Sequence, residues 1–136
     1  MGVRVRVRVR HGNREVATPA LVNTGFEGPE PEIHLPLPLA RRLGLSLEGA
    51  RSERYAVVGG EATALRLGRV LVILDVEAAM ASEAEAVCVP GEYEVIVNDA
   101  LAEALGIEIV APRRGPWRVR GEAGLRESAA PALWVE

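Results

Sequence analysis

The chain has no lysine and no glutamine, one cysteine, only two aspartates, and few aromatic residues: one Phe, two Tyr and two Trp. A lone thiol, Cys88, cannot close an internal disulfide, so nothing points to an oxidising compartment. No apolar run approaches the length needed to span a bilayer. The N-terminus alternates charge with valine instead of presenting a signal-peptide core. Together these lead us to expect a soluble, cytoplasmic protein with no membrane partner. Scarce aromatics leave Val, Leu, Ile and Ala to fill the core. All sixteen bases are Arg, which reflects coding bias more than mechanism. His11, His34 and Cys88 lack metal-ligand spacing, so neither a metal nor a cofactor is expected.

What is present fits one domain spanning residues 1–136, large enough to bury roughly two-thirds of its unfolded surface. Almost half the residues are hydrophobic and 26% are charged, a globular and not a disordered composition. The net charge of −3 argues against a nucleic-acid binder. It is unevenly spread, because residues 1–14 carry five Arg and no acid whereas 75–94 carry six acids and no base.

Val3, Val5, Val7 and Val9 alternate with Arg4, Arg6, Arg8 and Arg10, the period-two pattern of a strand with one apolar and one cationic face. No aromatic residue interleaves the Arg ladder to stack on bases, so a solvated or subunit-paired face is the better reading and a basic-stripe nucleic-acid-binding module the less favoured alternative. His11 to Arg14 forms a turn, and Glu15 to Val22 returns as a second strand interrupted by Pro19. Pro36 and Pro38 open a short helix whose body is Ala40 to Leu43 and whose stop is Gly44. Tyr55 to Val58, Gly59-Gly60 and Ala62 to Leu67 read as a second hairpin. Strands are expected at Val70 to Val76, around Ala86 to Val89 and at Tyr93 to Val97. A helix is expected over Asp99 to Leu105, capped by Asn98 or Asp99 and stopped by Gly106. Trp117 to Arg120 alternates again, and Ala132 to Val135 is read as a last strand. Many short strands with one or two short helices predict an all-β, closed barrel-like domain.

The apolar run Ala20-Leu21-Val22 ends in Asn23-Thr24-Gly25, followed by a Gly/Pro-rich turn and by an apolar segment ending in Leu43-Gly44-Leu45. Further on, Tyr93 to Val97, Asn98-Asp99 and Ala100 to Ile107 form a strand, a turn and a helix. In this order the segments, over roughly Val16 to Ile109, resemble the retropepsin-like (retroviral-type) aspartic protease family, with Asn23 in place of the catalytic Asp. The resemblance implies the acid-protease barrel and a homodimer that brings two copies of the tripeptide together. It further implies a flap at Val57-Val58-Gly59-Gly60 that closes over an extended peptide, and no cofactor. The catalytic position falls on Asn23, Thr24 and Gly25, and substrate contacts on Phe26, Val58, Gly59 and Gly60. Where the family carries Gly, Asn98 is expected to keep the turn left-handed.

The chemistry of that family needs two carboxylates sharing a proton, one as general base and one as general acid. An amide does not titrate, so as written the chain is expected to be a disabled endopeptidase. Asp75 and Asp99 lie in the wrong places to substitute. Asn23 suits either a protease disarmed by substitution or a fold used only for peptide binding or dimerisation.

Overall fold

The computed structural model describes residues 2–77 and 80–135. Its elements are β1 (Arg4–His11), β2 (Arg14–Val22), β3 (Glu32–His34), α1 (Leu37–Arg42), β4 (Arg51–Val57), β5 (Gly60–Leu74), β6 (Ala81–Cys88), β7 (Ile96–Val97), α2 (Asp99–Ala104), β8 (Ile107–Ile109) and β9 (Trp117–Val119). The main sheet runs β1-β2-β7-β3-β6-β5-β4, and β1 also pairs with β5. That pairing closes six strands into an all-β barrel and leaves β4 as an arm attached to β5 alone. The barrel is mixed, because β2–β7 and β3–β6 are parallel while the other pairs are antiparallel.

Alternation in β1 explains its place. Val5, Val7 and Val9 are fully buried inside the barrel, while the intervening Arg residues face outward. The ladder is largely paired within the chain: Arg4 with Glu94, Arg8 with Glu15 and Asp75, and Arg10 with Glu15 at 2.9 Å. Arg4 and Glu94 are largely buried, whereas the Arg8 and Arg10 pairs are more exposed and contribute about 0–1 kcal/mol each, shaping the surface more than holding the fold.

Pro19 is tolerated in β2 for a reason of register. It stands opposite Arg6, whose carbonyl bonds outward to the Asp75 amide just beyond the end of β5. Pro19 therefore occupies a position where β1 needs no N–H, and β7 reaches β2 only from Leu21 onward.

Several expected boundaries shift. The two strands expected at Ala62–Leu67 and Val70–Val76 are one strand, β5, of 15 residues. A register shift between Arg66 and Gly68 marks a bulge, and Gly68 at φ 111° lets the strand bend there instead of ending. β6 begins at Ala81, earlier than its Ala-rich sequence suggests, because β5 offers a ladder partner along that length. Glu32–His34 is a strand held between β6 and β7. The strand expected over Tyr93–Val97 is regular only at Ile96–Val97.

Ala132–Val135 is not a strand. Its one backbone bond among the described residues runs from the Trp134 amide to the Tyr93 carbonyl, and the Trp134 indole N–H donates to Thr18 Oγ1 at 3.0 Å. Arg42 stacks over that indole, so side-chain contacts hold the segment where no ladder forms. Both helices lie where expected, each closed by a glycine in the left-handed region, Gly44 and Gly106.

Asn98 is the cap of α2, one of the two residues expected there, but its backbone is not the left-handed one expected. Its φ of −83° and ψ of 178° are extended, not left-handed. The residue is fully buried, and its amide is a junction: Oδ1 accepts from Leu101 N and Glu32 N, both at 2.9 Å, and Nδ2 donates to the Glu30 carbonyl. Asn98 caps α2 and ties it to β3 at once, which a glycine could not do.

Candidate functional site

Asn23 follows the last residue of β2, at the edge where β2 meets β7. The Asn23 amide donates to the Val97 carbonyl at 3.0 Å and its own carbonyl accepts from Phe26 N, so the loop is tied to the barrel at both ends. Asp99 N donates to the Phe26 carbonyl, and Asp99 Oδ1 accepts from Gly28 N, fastening the following turn to the start of α2. Asp99 is therefore engaged in structure, and Asp75 pairs with Arg8 on the outer face.

Gly25 N donates to Asn23 Oδ1 at 3.0 Å. The bond fixes the amide's orientation, because a backbone N–H can be met only by the oxygen. Nδ2 is left exposed as a free donor. A carboxylate at this position could accept the same Gly25 bond, so the turn is compatible with either residue. The second atom differs: a donor nitrogen stands where an aspartate would offer an accepting oxygen.

A groove of about 540 Å³ opens beside this loop, under the β4–β5 hairpin. Of the residues expected at the site, Asn23, Gly25, Phe26 and Val58 line it, whereas Thr24, Gly59 and Gly60 do not. Thr24 is exposed on the loop, and Gly59 and Gly60 sit at the hairpin tip beside the wholly exposed Val58. The lining also includes His34, Tyr55, Val87, Ile96 and two carboxylates, Glu27 and Glu92. These escaped sequence reading because they come from five separate segments that only barrel closure gathers. Tyr55 alone carried a signal, as the one aromatic in an otherwise polar run, Arg51 to Arg54.

Tyr55 connects the arm to the barrel. Its ring meets Phe26 edge-on, with centroids 6.1 Å apart. Its hydroxyl lies 3.0 Å from both Glu32 Oε1 and Glu53 Oε2. One hydroxyl proton cannot serve two carboxylates, so the arrangement is complete when buried Glu32 is protonated and donates to Tyr55, which donates to Glu53. Burial pushes the Glu32 carboxyl up, against the Tyr55 hydrogen bond and the Arg66 charge, which pull it down. Burial and the two carboxylates push the Tyr55 hydroxyl above its ordinary value. The Tyr55 hydrogen bond, with Arg66 at 2.9 Å, holds Glu53 down.

His34 is 2% exposed. Its Nδ1 lies 2.8 Å from the Glu94 carbonyl, which can only accept, so Nδ1 carries the proton. Nε2 is the buried side-chain polar atom without a partner among the described residues. Burial pushes the imidazole below its ordinary pKa, opposed more weakly by the Glu94 carbonyl, the Glu92 charge and the Val89 carbonyl. The ring is thus neutral at physiological pH with a bare Nε2.

Among the described residues no group of three or more His, Cys, Asp or Glu is arranged to hold a metal ion. No helix among them is long and apolar enough to cross a membrane. The geometry provides a concave, mostly apolar surface with a few oriented polar atoms, the general form of a ligand site. No family model matches the chain, and no curated protein matches it.

Proposed function

We propose that the chain is a non-catalytic binding domain that takes an extended peptide in the groove between the barrel and the β4–β5 hairpin. The carrying observation is the Asn23 side chain at the lip of that groove. Its Oδ1 is occupied by Gly25 N and its Nδ2 is free. A donor in this position suits a peptide carbonyl; it cannot take a proton from water. The hairpin supports the same reading, since its exposed strand β4 has an unpaired outer edge to which a further strand can add.

The resemblance of residues Val16 to Ile109 to retropepsin-like proteases makes this a protease-type barrel converted to binding, with Asn23 at the former acid position. On that reading two copies associate so that the Asn23 loops face each other and two hairpins cover one groove. The exposed, unbonded Thr24 suits a contact across such an axis.

Asn23→Asp decides between a disarmed protease and a binding module. The expected outcome is a dimer by sedimentation that retains peptide binding and remains without endopeptidase activity from acidic to neutral pH. Appearance of cleavage with an acid-side optimum restores the disabled-protease reading. A strictly monomeric chain removes the two-loop site from either reading.

A further inference from the structure

We infer that the groove selects a cationic peptide, one whose apolar side chains alternate with Arg or Lys. The inference rests on the proposed peptide-binding role and adds the chemistry of the ligand. In a chain with sixteen Arg, no guanidinium lines the groove among the described residues. Its two charged lining residues are both carboxylates. Glu27 is exposed and has neither ion pair nor hydrogen bond to the described residues. Glu92 accepts the Tyr93 and Glu94 backbone amides at 3.0 and 3.1 Å but meets no cation among the described residues. Elsewhere carboxylates such as Glu15, Glu53, Glu85, Glu94, Glu108 and Glu122 each face an Arg. In the groove both carboxylates stand without an Arg among the described residues, on a lining that carries no other charge.

His34 supplies an independent observation of the same sense. His34 lines the same groove, and its covered Nε2 has no hydrogen-bond partner among the described residues. A buried acceptor left without a bond is costly, and a ligand rich in N–H donors relieves it. Two unpaired carboxylates and one orphan acceptor on an apolar lining call for a ligand that brings positive charge, donors and aliphatic surface together. An alternating Arg/apolar strand meets all three requirements, because its side chains fall alternately on the two faces. A phosphate-bearing or acidic ligand would face uncompensated repulsion from Glu27 and Glu92.

The test uses the full chain and an array of acetylated, amidated peptides of alternating apolar and variable residues. The variable residue is Arg, Lys, Gln, Ser or Glu, and affinity is read by fluorescence anisotropy at about 0.05 M and about 0.5 M salt. The expected result is that Arg and Lys peptides bind about fivefold tighter than Gln peptides at low salt, with Glu peptides weakest. That preference should collapse at high salt and in the Glu27→Gln/Glu92→Gln double variant. Gln at 92 keeps an oxygen for the two backbone amides, so the fold is retained, as circular dichroism would verify. In the same titration the ¹⁵N signal of His34 Nε2 should move as peptide saturates. Equal binding of Gln, Arg and Glu peptides, a preference surviving the double variant, or an unmoved His34 signal each overturns the cationic assignment while leaving peptide binding intact. No binding by any peptide overturns both.

Discussion

Along β1 every second residue is a wholly buried valine, whereas along β4 only Tyr55 escapes full exposure. The first strand has neighbours on both edges and a core behind it; the second has one neighbour and no core. The barrel is consequently held by apolar burial, which is non-directional and distributed over many residues. Beyond its ladder with β5 and the Arg66 bridge between Glu53 and Glu85, the arm meets the barrel through one aromatic contact and one hydrogen-bonded hydroxyl, both on Tyr55. Regions of low contact and exposed backbone bonding open at low free-energy cost. A groove roofed by such an arm can admit a long ligand without disturbing the barrel.

The sharpest way to break the barrel side of this contrast is Asn98→Ala. The substitution strands the Glu32 and Leu101 amides and the Glu30 carbonyl, three groups that Asn98 now satisfies. Each unsatisfied buried group costs about 1–3 kcal/mol, so a loss of about 3 kcal/mol or more is expected in urea unfolding. A loss below about 1 kcal/mol would mean that water replaces the amide and that the junction is not structural. Tyr55→Phe is the matching change in the arm. It keeps the ring on Phe26 but removes the hydroxyl, for an expected cost of about 1 kcal/mol. Hydrogen exchange should quicken over residues 51–65 and not in β1. Equal acceleration in both would erase the distinction between arm and barrel.

Much of the barrel was legible in the sequence because alternation is read locally: Val3 to Val9 announces a half-buried strand whatever it pairs with. The tripeptide at Asn23 was legible for a similar reason, since its strand, loop and turn are contiguous. Asn98 was legible as the cap of α2, but its backbone was misjudged as left-handed because sequence displays a turn residue and its neighbours, not the buried Glu32 amide that its side chain serves from 66 residues away. Glu27, His34 and Glu92 belong to loops and short strands with no period of their own. Their convergence depends on the parallel β3–β6 and β2–β7 pairings, which no local pattern encodes. The last strand was misjudged because Ala132 to Val135 has strand-like composition yet meets a single backbone partner among the described residues.

A smaller effect joins the two regions through pH. Glu32 has its pKa raised in the folded state, so below the ordinary carboxylate range the folded and unfolded chains are both protonated and its contribution is fully present. As pH climbs through the raised folded value, Glu32 ionises against desolvation and that contribution is lost. Stability should therefore fall across the window from the ordinary carboxylate value upward. The Tyr55 hydroxyl, then facing two charged carboxylates, should release Glu53 and loosen the arm. Glu32→Gln cannot ionise and should flatten this dependence, measured as the urea midpoint against pH. A wild-type profile already flat through that window would place no proton on Glu32.

The smallest expected change in stability tests what the arm is for. Val58 is wholly exposed at the hairpin tip, so Val58→Ser removes no buried contact and should alter unfolding by less than about 0.5 kcal/mol. An apolar residue fully in solvent gains nothing for the free chain. It still lines the groove, where a bound peptide would cover it. Covering a valine side chain contributes about 1.5 kcal/mol or more, so peptide affinity should drop by about tenfold while the urea midpoint stays fixed. Unchanged affinity would confine the ligand to the barrel side of the groove and reduce the hairpin to a passive arm. A drop in both quantities would mean that the tip packs against the barrel in the free chain, and the contrast between a rigid wall and a loosely held roof would fail.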